Sequence, residues 1–278
     1  MPNRQSLDIA GLQLSYLEWP SDKTPILLLH GLADNGCVWS SLGDYLADNN
    51  YVIAPDLRGH GESSKPVSGY SFVDYITELE TFIKYLKWSS FHVLAHSWSA
   101  KLLAIWAKEH PALFKSLILV DPFFIGKMPP GMQLTFPLLY RILPFLKTMG
   151  PFVDANAAEA TARELKQYRG WSALQEKSFW AGMEQKADGQ WGSKFVSQAR
   201  NEIFAEVMSV AGLTEPIEIP TLLIIPEKGL NRMQWQLAPY QQYFKKLEIL
   251  QVPGNHWPFL MEPDMFNPKI KQFLDQVS

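Results

Sequence analysis

Short apolar runs alternate with stretches of helical periodicity through the first third of the chain. Residues 12–19 (LQLSYLEW, after Gly11), 26–30 (ILLLH), 51–55, 91–96 and 116–121 (SLILVD) have the pattern of strands, and residues 38–49, 72–87 and 98–109 that of helices. Continuous Leu-rich and β-branched runs of about five residues, each followed by a helix, predict parallel strands covered on both faces. The alternation resumes with a strand at 221–226, a helix at 234–245, a strand at 247–252 and a final helix at 264–277. Between Pro122 and Thr214 the strand signal disappears. Helix formers dominate 156–167 and 172–185 there, punctuated by Pro129, Pro130, Pro137, Pro144 and Pro151. The prediction is a three-layer α/β sandwich with a mostly parallel sheet, its core spanning 1–121 and 214–278, and an inserted helical cap over 122–213.

Composition narrows the field. With 47% hydrophobic and 19% charged residues the chain is an ordinary globular protein. Its 25 Lys plus Arg against 28 Asp plus Glu give a net charge of −3, so no field of one sign covers the surface. This argues against a nucleic-acid binder dependent on phosphate contacts. Cys37 is the single cysteine, which excludes an intramolecular disulfide framework and a multi-cysteine metal site. The opening MPNRQSLDIAG lacks the apolar stretch of a signal peptide, and no run approaches a membrane span. The expectation is a soluble, cytoplasmic protein without metal or organic cofactor.

Ligands of open parallel sheets sit beyond the carboxyl ends of the strands. The polar residues just after each strand are His30, Asp56, Ser97, Asp121, Glu227 and His256. Ser97 lies on a tight strand-to-helix turn, with Ala95 two residues before it and Ser99 two after. Small neighbours suit a strained turn that exposes a hydroxyl at a helix N-terminus. The competing use of such a serine is to cap the helix that begins at Trp98. His256 follows the last strand within Val252-Pro253-Gly254-Asn255-His256-Trp257 and is the one histidine beyond the cap. It is the natural general base. The turn His30-Gly31-Leu32 can aim the Leu32 amide at the same point as the Trp98 amide, and two such donors make an oxyanion hole. His30 itself is expected to brace that turn.

These residues resemble the α/β-hydrolase family, which includes esterases, proline iminopeptidases, haloalkane dehalogenases and C–C hydrolases. The motifs are His30-Gly31, Asp56-Leu57-Arg58-Gly59-His60-Gly61-Glu62-Ser63, Ala95-His96-Ser97-Trp98-Ser99 and Gly254-Asn255-His256-Trp257. They frame the chain apart from the cap. The resemblance implies that residues 56–63 form a structural loop. Two departures stand out. Ala95 and Ser99 replace the usual elbow glycines. Where the family reads Gly-x-x-Asp, this chain reads Pro226-Glu227-Lys228-Gly229, leaving glycine at the usual place of the acid. Three explanations compete: Asp121, at the end of the strand after the elbow, supplies the acid; Glu227 reaches inward; or the acid is missing. Geometry favours Asp121, as in relatives that carry their acid after that strand.

The resulting expectation is a serine hydrolase of a carboxylic ester or thioester, with Ser97, His256 and Asp121 as the triad and the Leu32 and Trp98 amides as the oxyanion hole. The nearly all-apolar residues 136–146, with Trp171, Phe179, Trp180, Met183 and Trp191, predict a small hydrophobic acyl or aromatic substrate, and leave open contact of the cap with a membrane. Arg163 and Arg169 are candidates for holding a substrate carboxylate. Two alternatives remain: a C–C hydrolase of vinylogous diketones, and a ligand-binding homologue with a decayed acid. The sequence leaves the oligomeric state open.

Overall fold

The computed structural model describes residues 2–129, 131 and 144–277. Its strands are β1 (Asn3–Ile9), β2 (Leu12–Trp19), β3 (Pro25–Leu29), β4 (Tyr51–Pro55), β5 (Phe91–His96), β6 (Phe114–Val120), β7 (Met183–Gln185), β8 (Trp191–Ser193), β9 (Thr221–Lys228) and β10 (Leu247–Asn255). Eight of them form one sheet in the order β1-β2-β4-β3-β5-β6-β9-β10. Pairing is parallel from β4 through β10 and antiparallel at β1–β2 and β2–β4. The helices are α1 (Ser40–Leu46), α2 (Phe72–Leu86), α3 (Trp98–Glu109), α4 (Ala155–Arg163), α5 (Ala173–Ala181), α6 (Ser197–Ser209), α7 (Gln234–Tyr243), α8 (Pro258–Met261) and α9 (Pro263–Val277).

Period-two alternation divides the sheet into two buried faces. Leu27, Leu29, Val93, Leu117, Leu119 and Leu223 pack with α2 and α3. Their neighbours Ile26, Leu28, Leu94, Ile118, Leu222 and Ile224 pack with α1 and α9 on the other side. Both faces of the central strands are therefore apolar, which is why these strands read as unbroken hydrophobic runs. β1 escapes that pattern. Its NRQSL segment is largely exposed on the sheet edge, and it pairs with β2 through the two-residue turn Ala10-Gly11. Both turn residues have positive φ, 52° and 82°, the geometry a tight hairpin requires.

The segment between β6 and β9 carries α4, α5, a two-stranded hairpin and α6. The hairpin corrects the expectation of a strandless stretch: α5 stops at Ala181 and the chain continues as β7 rather than as helix to 185. Glu184 and Gln185 cannot extend an apolar stripe, and Asp188-Gly189 turns the chain back to β8. Ala158, Ala162, Tyr168, Phe179 and Met183 form a small cluster of their own, whereas Ile203 and Val207 of α6 join the main core. Of the apolar run 136–146, residues 136–143 lie outside the described residues, as do Pro130 and Pro137. Among the described residues no helix is long and apolar enough to cross a membrane.

Candidate active site

β3 and β5 are hydrogen-bonded neighbours although β4 lies between them in the chain, so the connections after them leave in opposite directions. The crevice beyond their carboxyl ends receives Leu32 from one side and Ser97 from the other. Ser97 stands at φ 61°, ψ −120°, a backbone state that L-residues avoid, and its side chain makes no capping bond to α3. The end of β6 and the turn after it hold the strain: the Ser97 amide donates to Val120 O at 3.0 Å, and Ser97 O accepts from the Phe123 amide at 3.1 Å. Ser99 is fully buried, and its hydroxyl lies 2.8 Å from His96 O and 3.2 Å from Leu29 O. That hydroxyl is engaged with backbone inside the elbow.

His256 Nε2 lies 3.0 Å from Ser97 Oγ, and its Nδ1 lies 2.6 Å from Asp121 Oδ2. A neutral imidazole satisfies both contacts when Nδ1–H donates to the carboxylate and Nε2 accepts from the hydroxyl. Asp121 is fully buried. Its Oδ2 also accepts from the Leu230 amide at 2.8 Å, and its Oδ1 from the Asn231 amide at 3.2 Å and Asn231 Nδ2 at 3.0 Å. Burial works against the charge, but His256 and these donors overcome it and hold the carboxyl below its ordinary value.

The glycine at position 229 has a spatial explanation. A Cβ there would come within 2.6 Å of Asp121 Oδ2 and 2.9 Å of its Cγ. The carboxylate of Asp121 thus occupies the room that a side chain at 229 would need. Glu227 is exposed at the end of β9 and has no hydrogen bond to His256, so the fold does not bring it into this arrangement.

The Leu32 and Trp98 amides have no acceptor among the described residues, and both residues line the cavity over Ser97. His30 shapes the turn that carries Leu32. Its Nδ1 donates to Gly31 O at 2.8 Å while Nε2 accepts from the Leu57 amide at 2.9 Å. Burial lowers its pKa and keeps the ring neutral. Asp56 has a structural place, accepting from the Gly36 amide at 2.6 Å and from Arg4 at 2.8 Å, and Arg58 pairs with Glu78 at 2.9 Å.

The cavity measures about 380 Å³. Phe123, Leu165, Ile203, Phe204, Val207 and Leu230 give it apolar walls, and Lys166 and Lys228 stand among its more polar lining. Neither Arg163 nor Arg169 lines it. Arg163 pairs with Glu159 at 2.7 Å and stacks on Trp171 at 4.5 Å, while Arg169 is exposed. Sequence reasoning missed Asn231, Phe123 and Leu230 as parts of the site. Asn231 meets Asp121 across 110 positions of sequence, a proximity no local spacing announces.

A family model for the alpha/beta hydrolase fold matches residues 24–263. The 2-(acetamidomethylene)succinate hydrolase of Mesorhizobium japonicum is 32% identical over 280 residues, spanning 97% of this chain and 94% of that protein. An uncharacterized protein of Mycobacterium tuberculosis is 27% identical over 268 residues, spanning 90% of this chain and 75% of its own. Among solved structures, E-2-(acetamidomethylene)succinate hydrolase superposes with a TM-score of 0.82 at 22% identity, covering 99% of this chain and 100% of that one. At that identity the likeness is one of fold.

Proposed function

The chain belongs to the α/β hydrolase fold family, and from that premise we propose that it is a serine hydrolase cleaving a carboxylic ester or thioester with a hydrophobic acyl or aromatic portion. The observation that carries this reading is the continuous relay from Asp121 through His256 to Ser97, at 2.6 and 3.0 Å, at the floor of an apolar cavity. Ser97 Oγ attacks the carbonyl carbon as His256 Nε2 takes its proton. The Leu32 and Trp98 amides hold the developing oxyanion, reinforced by the N-terminus of α3. Asp121 fixes the imidazole tautomer and stabilises the imidazolium. Collapse of the tetrahedral intermediate breaks the bond to the leaving group, which departs with the proton from His256. Water then attacks the acyl-Ser97 ester by the same route and frees the acid. The segment between β6 and β9 serves as the lid, with Leu165, Ile203 and Phe204 shielding this chemistry from water.

Two rival readings are weaker. C–C hydrolysis of a carboxylate-bearing diketone calls for a cation aimed at that carboxylate, and among the described residues Arg163 is engaged by Glu159 and Trp171 while Arg169 is exposed outside the cavity lining. A decayed binding protein rested on the glycine at 229, and that argument loses force because Asp121 lies against it.

The test is hydrolysis of p-nitrophenyl esters of graded acyl length. Ser97→Ala is expected to abolish turnover, and Asp121→Asn to lower kcat by about 10⁴-fold, the scale of the equivalent change in serine proteases. Glu227→Gln is expected to leave kcat within about twofold, as exposed substitutions usually do. Turnover that survives Ser97→Ala, or that fails with Glu227→Gln instead of Asp121→Asn, would overturn the assignment.

A further inference from the structure

His96 precedes the elbow serine and is fully buried, yet the relay described above does not use it. Its Nε2 lies 2.8 Å from the backbone carbonyl of His256. A carbonyl can only accept, so Nε2 carries the ring proton and grips the peptide immediately after the His256 side chain. The His96 ring also packs against the His256 ring, with centroids 4.5 Å apart, and meets Phe259 edge-on at 4.8 Å. One residue further along, Trp257 Nε1 donates to Asp34 Oδ2 at 3.2 Å. Asp34 comes from the turn that carries Leu32, and its side chain is only 6% exposed.

His96 Nδ1 and Asp34 Oδ2 approach to 3.6 Å without bonding, and both lie over the Cα of Gly31. A Cβ at Gly31 would meet His96 Nδ1 at 2.5 Å and Asp34 Oδ2 at 2.9 Å. Gly31 therefore leaves room for the elbow residue and the oxyanion-turn residue to converge on one loop. We propose that His96 and Asp34 are positioning residues that grip the His256 carbonyl and the Trp257 indole and so hold the His256 imidazole in line between Asp121 and Ser97. This rests on the serine hydrolase reading but adds two residues that stand outside the relay, at the margin of the cavity it opens into. The loop that carries His256 contains Gly254 at φ 100°, a residue free to take many backbone states, so an outside grip has something to restrain.

Fluorophosphonate labelling of Ser97 in the full chain reports nucleophile activation without knowledge of the substrate. A far-downfield imidazole proton resonance reports the His256–Asp121 hydrogen bond independently. His96→Leu is expected to slow labelling by on the order of 10–100-fold, the scale for misplacing a catalytic group by about 1 Å. It is also expected to broaden or abolish the downfield signal, with ester KM little changed. His96→Gln keeps a donor within reach of His256 O and is expected to recover most of the labelling rate. Asp34→Ala should slow labelling and Asp34→Asn, which retains an acceptor for Trp257, should restore it; this second pair decides the matter where His96→Leu does not fold. Wild-type labelling with an intact downfield signal in His96→Leu and Asp34→Ala overturns the proposal, as does failure of both conservative variants to rescue. A wild-type protein whose Ser97 resists labelling sinks the hydrolase reading instead, and the downfield resonance then judges the clamp alone.

Discussion

At position 229 the chain carries no side chain, and the space a Cβ would take is held by the Asp121 carboxylate. Gly229→Ala is therefore expected to push Asp121 off His256 and lower ester kcat by on the order of 10–100-fold with KM little changed, measured by steady-state kinetics. Asp121 also bears on stability. Its folded pKa is depressed, so the stability it contributes is present above the ordinary carboxylate value and is lost as pH falls through the depressed one. Melting temperature followed from neutral pH downward should fall more steeply for the wild type than for Asp121→Asn below the ordinary carboxylate range. Parallel curves would show that Asp121 is not held charged by the fold.

Among the elements, α3 has more to do than begin at Ser97. From its first turn Lys101, fully buried, reaches Phe124 O at 3.1 Å, Gly126 O at 2.6 Å and Val207 O at 2.5 Å. Three carbonyls match the three N–H bonds of an ammonium. The helix that follows Ser97 is thereby tied both to the chain leaving Asp121 and to α6, whose Ile203 and Val207 line the cavity. Lys101→Met leaves those carbonyls without their donor, and its cost is expected to be about 2–4 kcal/mol in urea unfolding. A loss under about 0.5 kcal/mol would place the residue among the ordinary surface-like substitutions and dismiss the clamp.

On the scale of the whole molecule, the cavity lies where the segment between β6 and β9 meets the carboxyl ends of the central strands. The Asn35 side chain donates to Ser178 O of α5 at 3.0 Å, and Asn255 Nδ2 donates to Lys166 O at 2.9 Å. The turn after β3 and the loop of His256 each hold a piece of the segment between β6 and β9 through these bonds. With apolar walls and about 380 Å³ of room, longer acyl chains gain binding until the cavity is filled. Across p-nitrophenyl esters, kcat/KM is expected to rise by roughly threefold or more per methylene, from about 0.8 kcal/mol for each one buried, and then to plateau. Acyl groups ending in a carboxylate should be poor substrates, and their preference over neutral ones would refute the apolar assignment.

The chain's own pattern determined the central architecture, because strands buried on both faces must be apolar throughout and residues 26–29, 91–96 and 116–120 are nearly so. It also marked the turn at Ser97 and the loop at His256 as candidates, since strained turns and strand-end loops leave local marks. β1 was illegible because an edge strand exposed to water needs no apolar alternation, and the β7–β8 hairpin because three-residue strands are too short to show a period. The string of residues set Asp121 and Glu227 side by side as candidates but gave neither one's distance from His256. Only the packing of β6 beside β9 brings the Asp121 carboxylate over Gly229, and only the convergence of three distant turns places His96 and Asp34 on the loop of His256. Such contacts join residues more than 100 positions apart, and their distances are set by the register of the sheet, which no local propensity encodes.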